Sequence, residues 1–176
     1  CEVQSATLSS PEDREITSVN GDYGITYDDV WWFSSFTKTL NNFPQNINEV
    51  FPKVEAVYIY NAHITTLTKS DMAPLGSQLR KLTFADNKIE VLEEGLFDEN
   101  PNLEFIVLTS NKIKFVASGV FNKLTKLTTL RFSGNLCYFG KAENDRTKVL
   151  TLIKQIEEKC QDLEAYQKFR EIFPIT

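Results

Sequence analysis

The sequence is poor in the residues that carry chemistry. It holds one histidine, one methionine, three cysteines and seven glycines in 176 residues. His63 is the lone imidazole, and a single ring on a turn reads as a solvent-facing loop residue rather than a catalyst or a metal ligand. Cys1, Cys137 and Cys160 have no metal-ligand spacing among them. The GxGxxG, Walker and GxSxG patterns are all missing. Glu93, Glu94, Asp98 and Glu99 fall in stretches whose default is a solvated face, and nothing brings two of them to one pocket. The expectation is a protein with no enzymatic site, no metal and no cofactor. A basic excess is also lacking. The 19 Lys and Arg against 24 Asp and Glu leave a net charge of −5, which argues against a nucleic-acid partner. No apolar run approaches the roughly 20 residues of a membrane-spanning helix. A signal segment is missing too, which decides nothing, because a mature secreted chain after cleavage reads the same way. There is no N-x-Ser/Thr sequon.

What the chain does have is a repeat of about 24 residues. Leu79-Arg80-Lys81-Leu82-Thr83-Phe84-Ala85-Asp86-Asn87-Lys88-Ile89 is matched by Leu103-Glu104-Phe105-Ile106-Val107-Leu108-Thr109-Ser110-Asn111-Lys112-Ile113. It is matched again by Leu127-Thr128-Thr129-Leu130-Arg131-Phe132-Ser133-Gly134-Asn135-Leu136-Cys137. All three fit LxxLxLxxNxI/L/C, and Phe97 and Phe121 share a later offset. Apolar residues two apart, such as Leu82 and Phe84 or Ile106 and Leu108, leave one face of a short strand and enter the core. Asn87, Asn111 and Asn135 recur where the chain turns. There their amides are placed to bond the backbone of adjacent coils as a ladder. Self-similarity at fixed period resembles the leucine-rich repeat, a solenoid that presents a binding surface and supplies no chemistry by itself.

Two weaker copies precede these. Residues 54–64 keep the apolar frame, but Ala62 replaces the ladder Asn. Upstream, Val30, Phe33, Leu40 and Phe43 sit at matching offsets, with Ser35 and Lys38 in core and Asn positions. The starts Val30, Val54, Leu79, Leu103 and Leu127 keep one register.

Past the repeats, Val149, Leu152, Ile153 and Ile156 recur at helical spacing between Cys137 and Cys160. A cysteine in the last strand loop, an amphipathic helix and a closing cysteine resemble the C-terminal cap of extracellular leucine-rich repeat proteins. The resemblance implies a single Cys137–Cys160 disulfide, stabilising by roughly 3 kcal/mol, and an oxidising compartment. The other reading is two reduced, buried thiols in a cytosolic repeat protein. Leu163, Tyr166, Phe169 and Phe173 form a second helical stripe ended by Pro174, either packed on the last coil as part of the cap or free to dock a partner chain. At the other end, residues 1–8 and 14–19 read as a hairpin around a turn at 9–13, followed by Asn20-Gly21. Cys1 is left over, and an intermolecular bond, a free thiol or a lost upstream partner all account for it.

The layout most resembles the short secreted leucine-rich repeat proteins of dipteran insects. It implies one α/β domain: a right-handed solenoid of about five coils with a parallel concave sheet, an N-terminal β-hairpin cap over 1–29, repeats over 30–136, and a C-terminal helical cap with a terminal helix over 137–176. Relatives of this type are linked to immune recognition and to extracellular assemblies. The resemblance therefore implies a secreted, extracellular protein that engages a protein partner.

The positions between the core residues stack into three rows on the concave face. Trp32, Ala56, Lys81, Phe105 and Thr129 form the first, and Ser34, Tyr58, Thr83, Val107 and Arg131 the second. Phe36, Tyr60, Ala85, Thr109 and Ser133 form the third. Trp32, Phe36, Tyr58, Tyr60, Phe105 and Val107 are apolar or amphipathic where water alone would favour polar side chains, which marks a contact site. Lys81 and Arg131, with Thr83, Thr109 and Thr129, are placed to orient a polar or acidic group. Trp32 and Phe36 carry a second reading, in which they pack beneath the hairpin. Two further functions stay open. One is a structural subunit of a secreted assembly joined through Cys1, with the aromatic patch buried against a second copy. The other is a carrier of a small apolar ligand in a closed cavity.

Overall fold

The computed structural model describes residues 5–8, 16–20, 30–36 and 40–174. The first elements are β1 (Ser5–Leu8) and β2 (Ile16–Asn20), which pair antiparallel. Expected hairpin and observed pair agree; the turn over 9–13, Gly21, Lys38 and Cys1 lie outside the described residues.

The repeat then builds one sheet. β3 (Trp32–Ser35) is followed by α1 (Ile47–Val50) and β4 (Ala56–Tyr60). α2 (Lys69–Met72) and a 3-10 helix, Ala73–Gln78, lead to β5 (Lys81–Ala85). β6 (Val91–Leu92), β7 (Phe105–Val107), β8 (Phe115–Val116), β9 (Thr129–Arg131) and β10 (Lys141–Ala142) follow. α3 (Arg146–Lys159) and α4 (Leu163–Ile172) close the order. β3, β4, β5, β7 and β9 run parallel as neighbours, and β10 adds antiparallel to β9. The parallel sheet expected from the repeat thus ends on one reversed strand. Lys141 and Ala142 lie outside the repeat frame, and a two-residue strand leaves no periodicity to read.

Alternation within each strand explains the core. Val57 and Ile59, Leu82 and Phe84, Ile106 and Leu108, and Leu130 and Phe132 are all fully buried, in one continuous apolar cluster. Phe97 and Phe121 carry the repeat into the return segments, stacked with centroids 5.9 Å apart. Side chains identical in period meet face to face because each coil lies over the one before it.

The ladder forms as the spacing requires. Asn111 Nδ2 donates to the Phe84 carbonyl at 2.7 Å, and its Oδ1 accepts from the Ile89 N–H at 3.2 Å. Asn135 repeats this with the Leu108 carbonyl and the Ile113 N–H. Asn87 donates to the Ile59 carbonyl at 3.1 Å, but its buried Oδ1 has no partner. The residue before each ladder position adopts a left-handed backbone: Asn61, Asp86, Ser110 and Gly134 all have φ between 51° and 76°. Asn, Asp and Gly tolerate that region best, so the local sequence favours the turn at Asn61, Asp86 and Gly134, while Ser110 adopts it without that advantage.

At the C-terminal end, α3 lays Val149, Leu152, Ile153 and Ile156 on the core. Asp145 caps it, its carboxylate accepting the Lys148 N–H at 3.1 Å. Cys137 and Cys160 are disulfide-bonded, with Cα atoms 4.9 Å apart. α4 forms over the expected stripe and stops before Pro174. It does not pack on the last coil. Phe169, with Tyr166 and Phe173 half-buried beside it, joins Val91, Phe115 and Ala117 in a separate cluster on the small parallel sheet of β6 and β8. Leu163 lies 61% exposed, off that contact, because the helix meets a two-stranded patch narrower than its apolar stripe.

Candidate functional site on the concave sheet

The strand register assembles the rows. Trp32, Ala56, Lys81, Phe105 and Thr129 are consecutive neighbours across the sheet. Ser34, Tyr58, Thr83, Val107 and Arg131 form the second row, and Tyr60 and Ala85 pair in the third. Every expected site residue among them therefore lies on one face. Cys1 lies outside the described residues.

The face divides into an aromatic side and a cationic side. Phe36 is 70% exposed and stacks on Tyr60 with centroids 4.9 Å apart. Trp32 is half-buried, edge-on to Tyr58 at 6.5 Å, with Trp31 at 4.9 Å on its other side. Phe36 is thus not packed away from solvent. Burial pushes the Tyr58 phenol above its ordinary value, and neighbouring Tyr60 adds to the shift. On the other side, the Arg131 guanidinium lies 5.7 Å from the Phe105 ring centre. Glu143, just beyond β10, holds Arg131 at 2.7 Å. That carboxylate follows from the reversed strand and has no signal in the repeat.

Two expectations of exposure are corrected. Thr83 is 1% and Val107 7% exposed, although both belong to the face. Strands about 4.8 Å apart on a concave surface crowd their side chains, so a short residue between Tyr58 and Arg131 sinks below its longer neighbours. Thr83 Oγ1 and Trp32 Nε1 are buried without a hydrogen-bond partner. Above Thr83 the face opens into a depression of about 400 Å³, flanked by Tyr58, Tyr60, Lys81, Phe105 and Arg131.

Glu93 is a third correction. It was expected on a solvated face but is 9% exposed, accepting the Lys69 N–H at 2.6 Å and lying 3.7 Å from Arg170 of α4. Among the described residues no cluster of His, Cys, Asp and Glu is suited to a metal ion, and no helix is long and apolar enough to cross a membrane. His63 is exposed.

The arrangement is an open face of aromatic and cationic side chains around the depression. Comparison with known proteins agrees on the scaffold. Residues 77–136 match the leucine rich repeat family model. A chain from the Drosophila Toll–Spatzle complex, described as a molecular hub in development and innate immunity, superposes with a TM-score of 0.56 at 23% identity, over 63% of this chain and 15% of that one. The glycosylated form of that complex gives 0.54 at 23% identity, over 65% and 16%. The present chain thus spans under one fifth of the length of those it matches, and what it shares with them is the leucine-rich repeat fold.

Proposed function

We propose that this protein is a secreted interaction module whose concave face engages a protein partner. The observation that carries the reading is the stack of exposed Phe36 on half-buried Tyr60 beside the depression. Large aromatics held rigidly and left in water are the residues on which interfaces concentrate their energy. In this reading about five coils over 30–136 form the scaffold, with caps over 1–29 and 137–176. The Cys137–Cys160 disulfide supports an oxidising, extracellular setting. The similarity to chains of the Toll–Spatzle complex supports a protein as the ligand class. The depression is open to solvent, which suits a partner's side chain better than an enclosed small-molecule carrier site.

The test is affinity isolation from the native extracellular fluid with the wild-type chain and a Phe36→Ala/Tyr60→Ala control, then calorimetry with the purified partner. A hot-spot pair is expected to cost about 2 kcal/mol or more of binding, while Leu163→Ala on α4 leaves affinity unchanged. Equal affinity for the Phe36→Ala/Tyr60→Ala variant and wild type would sink the reading.

A further inference from the structure

The concave face carries more than apolar surface. Lys81 opens β5 and is exposed, in the first row between Ala56 and Phe105. The carboxylates one position earlier in the neighbouring coils, Glu55 and Glu104, are already engaged by Arg80. Glu55 lies 3.5 Å and Glu104 2.7 Å from Arg80, which bridges the two. No ion pair joins Lys81 to any described carboxylate within 4.0 Å. Asp86 lines the same depression from the turn past the end of β5 and forms no ion pair with Lys81 within 4.0 Å. Arg131 is different, because Glu143, which also meets Lys141 at 3.8 Å, holds it at 2.7 Å and Phe105 supports it. Among the described residues, Lys81 is therefore a cation at the edge of the depression with no carboxylate within 4.0 Å, in a chain of net charge −5. The floor of the depression includes the buried Thr83 hydroxyl, which lacks a partner.

From this charge pattern we infer that the depression is a socket for an Asp or Glu side chain of the protein partner, with Lys81 as its counter-ion. The inference rests on the reading that the concave face binds protein. Tyr58 and Phe105 receive the apolar part of the same segment, and the aromatic pair at Phe36 and Tyr60 holds the residue next to it. Arg131, tethered to Glu143, shapes the wall without being free to move onto the ligand. An ammonium on a flexible stem adapts to one carboxylate oxygen, whereas a tethered guanidinium keeps its place. Because Lys81 is solvent-exposed, the contact weakens as salt rises.

The experiment pans a displayed random-peptide library on the immobilised full chain, in parallel with Lys81→Gln, Lys81→Arg and Phe36→Ala/Tyr60→Ala variants. Synthetic blocked peptides from the enriched set are then titrated, each with its Glu→Gln or Asp→Asn counterpart. The expected result is enrichment of an acidic residue beside an aromatic or aliphatic one. Affinity should fall about tenfold on either Lys81→Gln or removal of the peptide carboxylate, with Lys81→Arg restoring most of it. The two losses should not add, since both remove the same contact. Peptides that need Phe36 and Tyr60 but show no acidic preference, and bind Lys81→Gln as well as wild type, overturn the socket and leave the concave-face reading standing. Peptides indifferent to the aromatic variant, or no enrichment at all, overturn both.

Discussion

Phe36 and Tyr60 lie parallel to within 1°, with ring centroids 4.9 Å apart, although they come from different coils. Their backbones are brought side by side by the β3–β4 register, in which Ser35 faces Ile59. A stacked aromatic pair at this spacing contributes about 0.5–1.5 kcal/mol beyond the area that it covers. A double-mutant cycle with Phe36→Ala and Tyr60→Ala, read by urea unfolding, is expected to return a coupling in that range. A coupling near zero would mean that the stack does not persist in water.

The ladder gives a graded expectation. Asn111 satisfies a carbonyl and an N–H of the preceding coil, whereas Asn87 satisfies carbonyls alone. Asn111→Ala leaves buried groups of both kinds unpaired, and about 3 kcal/mol of stability should be lost. Asn87→Ala should cost roughly 1 kcal/mol less, because its own Oδ1 is already unpaired and contributes nothing. Equal losses in paired denaturation curves would contradict the asymmetry.

The contrast between Asn111 and α4 shows what the sequence makes legible. Asn111 acts on groups one repeat away, so its role recurs at Asn87 and Asn135 and can be read from period alone. The rows of the concave face are legible for the same reason, since Trp32, Lys81 and Phe105 occupy equivalent strand positions. Depth is not legible. Thr83 and Lys81 are two residues apart on one face, yet one is buried and the other exposed, because neighbouring side-chain length decides it. Contacts made once are not legible either. Glu143 meets Arg131 only because β10 reverses, and Glu93 is buried only where α4 crosses it.

The disulfide should be worth about 3 kcal/mol, the loop-closure value for a 23-residue separation. Cys160 is also a structural joint, fully buried, with its carbonyl accepting the Val116 N–H at 2.9 Å. The Cys137→Ala/Cys160→Ala protein is expected to melt below wild type, and reductant should lower the wild-type melt towards it. A reductant-insensitive wild-type melt, coincident with the double variant, would show that the bond does not stabilise the fold.

Tyr58 sets an alkaline limit. Burial first, and Tyr60 second, disfavour its phenolate, so its folded value lies above the 10.0 of a free phenol. Between the two values the unfolded chain has lost a proton that the folded chain keeps. The Tyr58 contribution is therefore fully present below pH 10.0 and is lost as pH rises towards the folded value. Tyr58→Phe removes this proton from both states, so it should lose less stability than wild type across the same alkaline window. Parallel pH profiles from denaturant melts would refute the assignment.

α4 is held by a cluster separate from the main core, which makes it a local unit of stability. Tyr166 stacks on Phe115 at 4.3 Å, Phe169 is 6% exposed, and Arg170 lies 3.7 Å from the nearly buried Glu93. Phe169→Ala removes the most buried of these contacts, and a loss of about 3 kcal/mol falls on the helix dock alone. Amide exchange in α4 should accelerate while exchange in β4, β5 and β7 stays at the rate set by global unfolding. If the sheet amides accelerate by the same factor, α4 belongs to the cooperative core and its satellite cluster is not an independent unit.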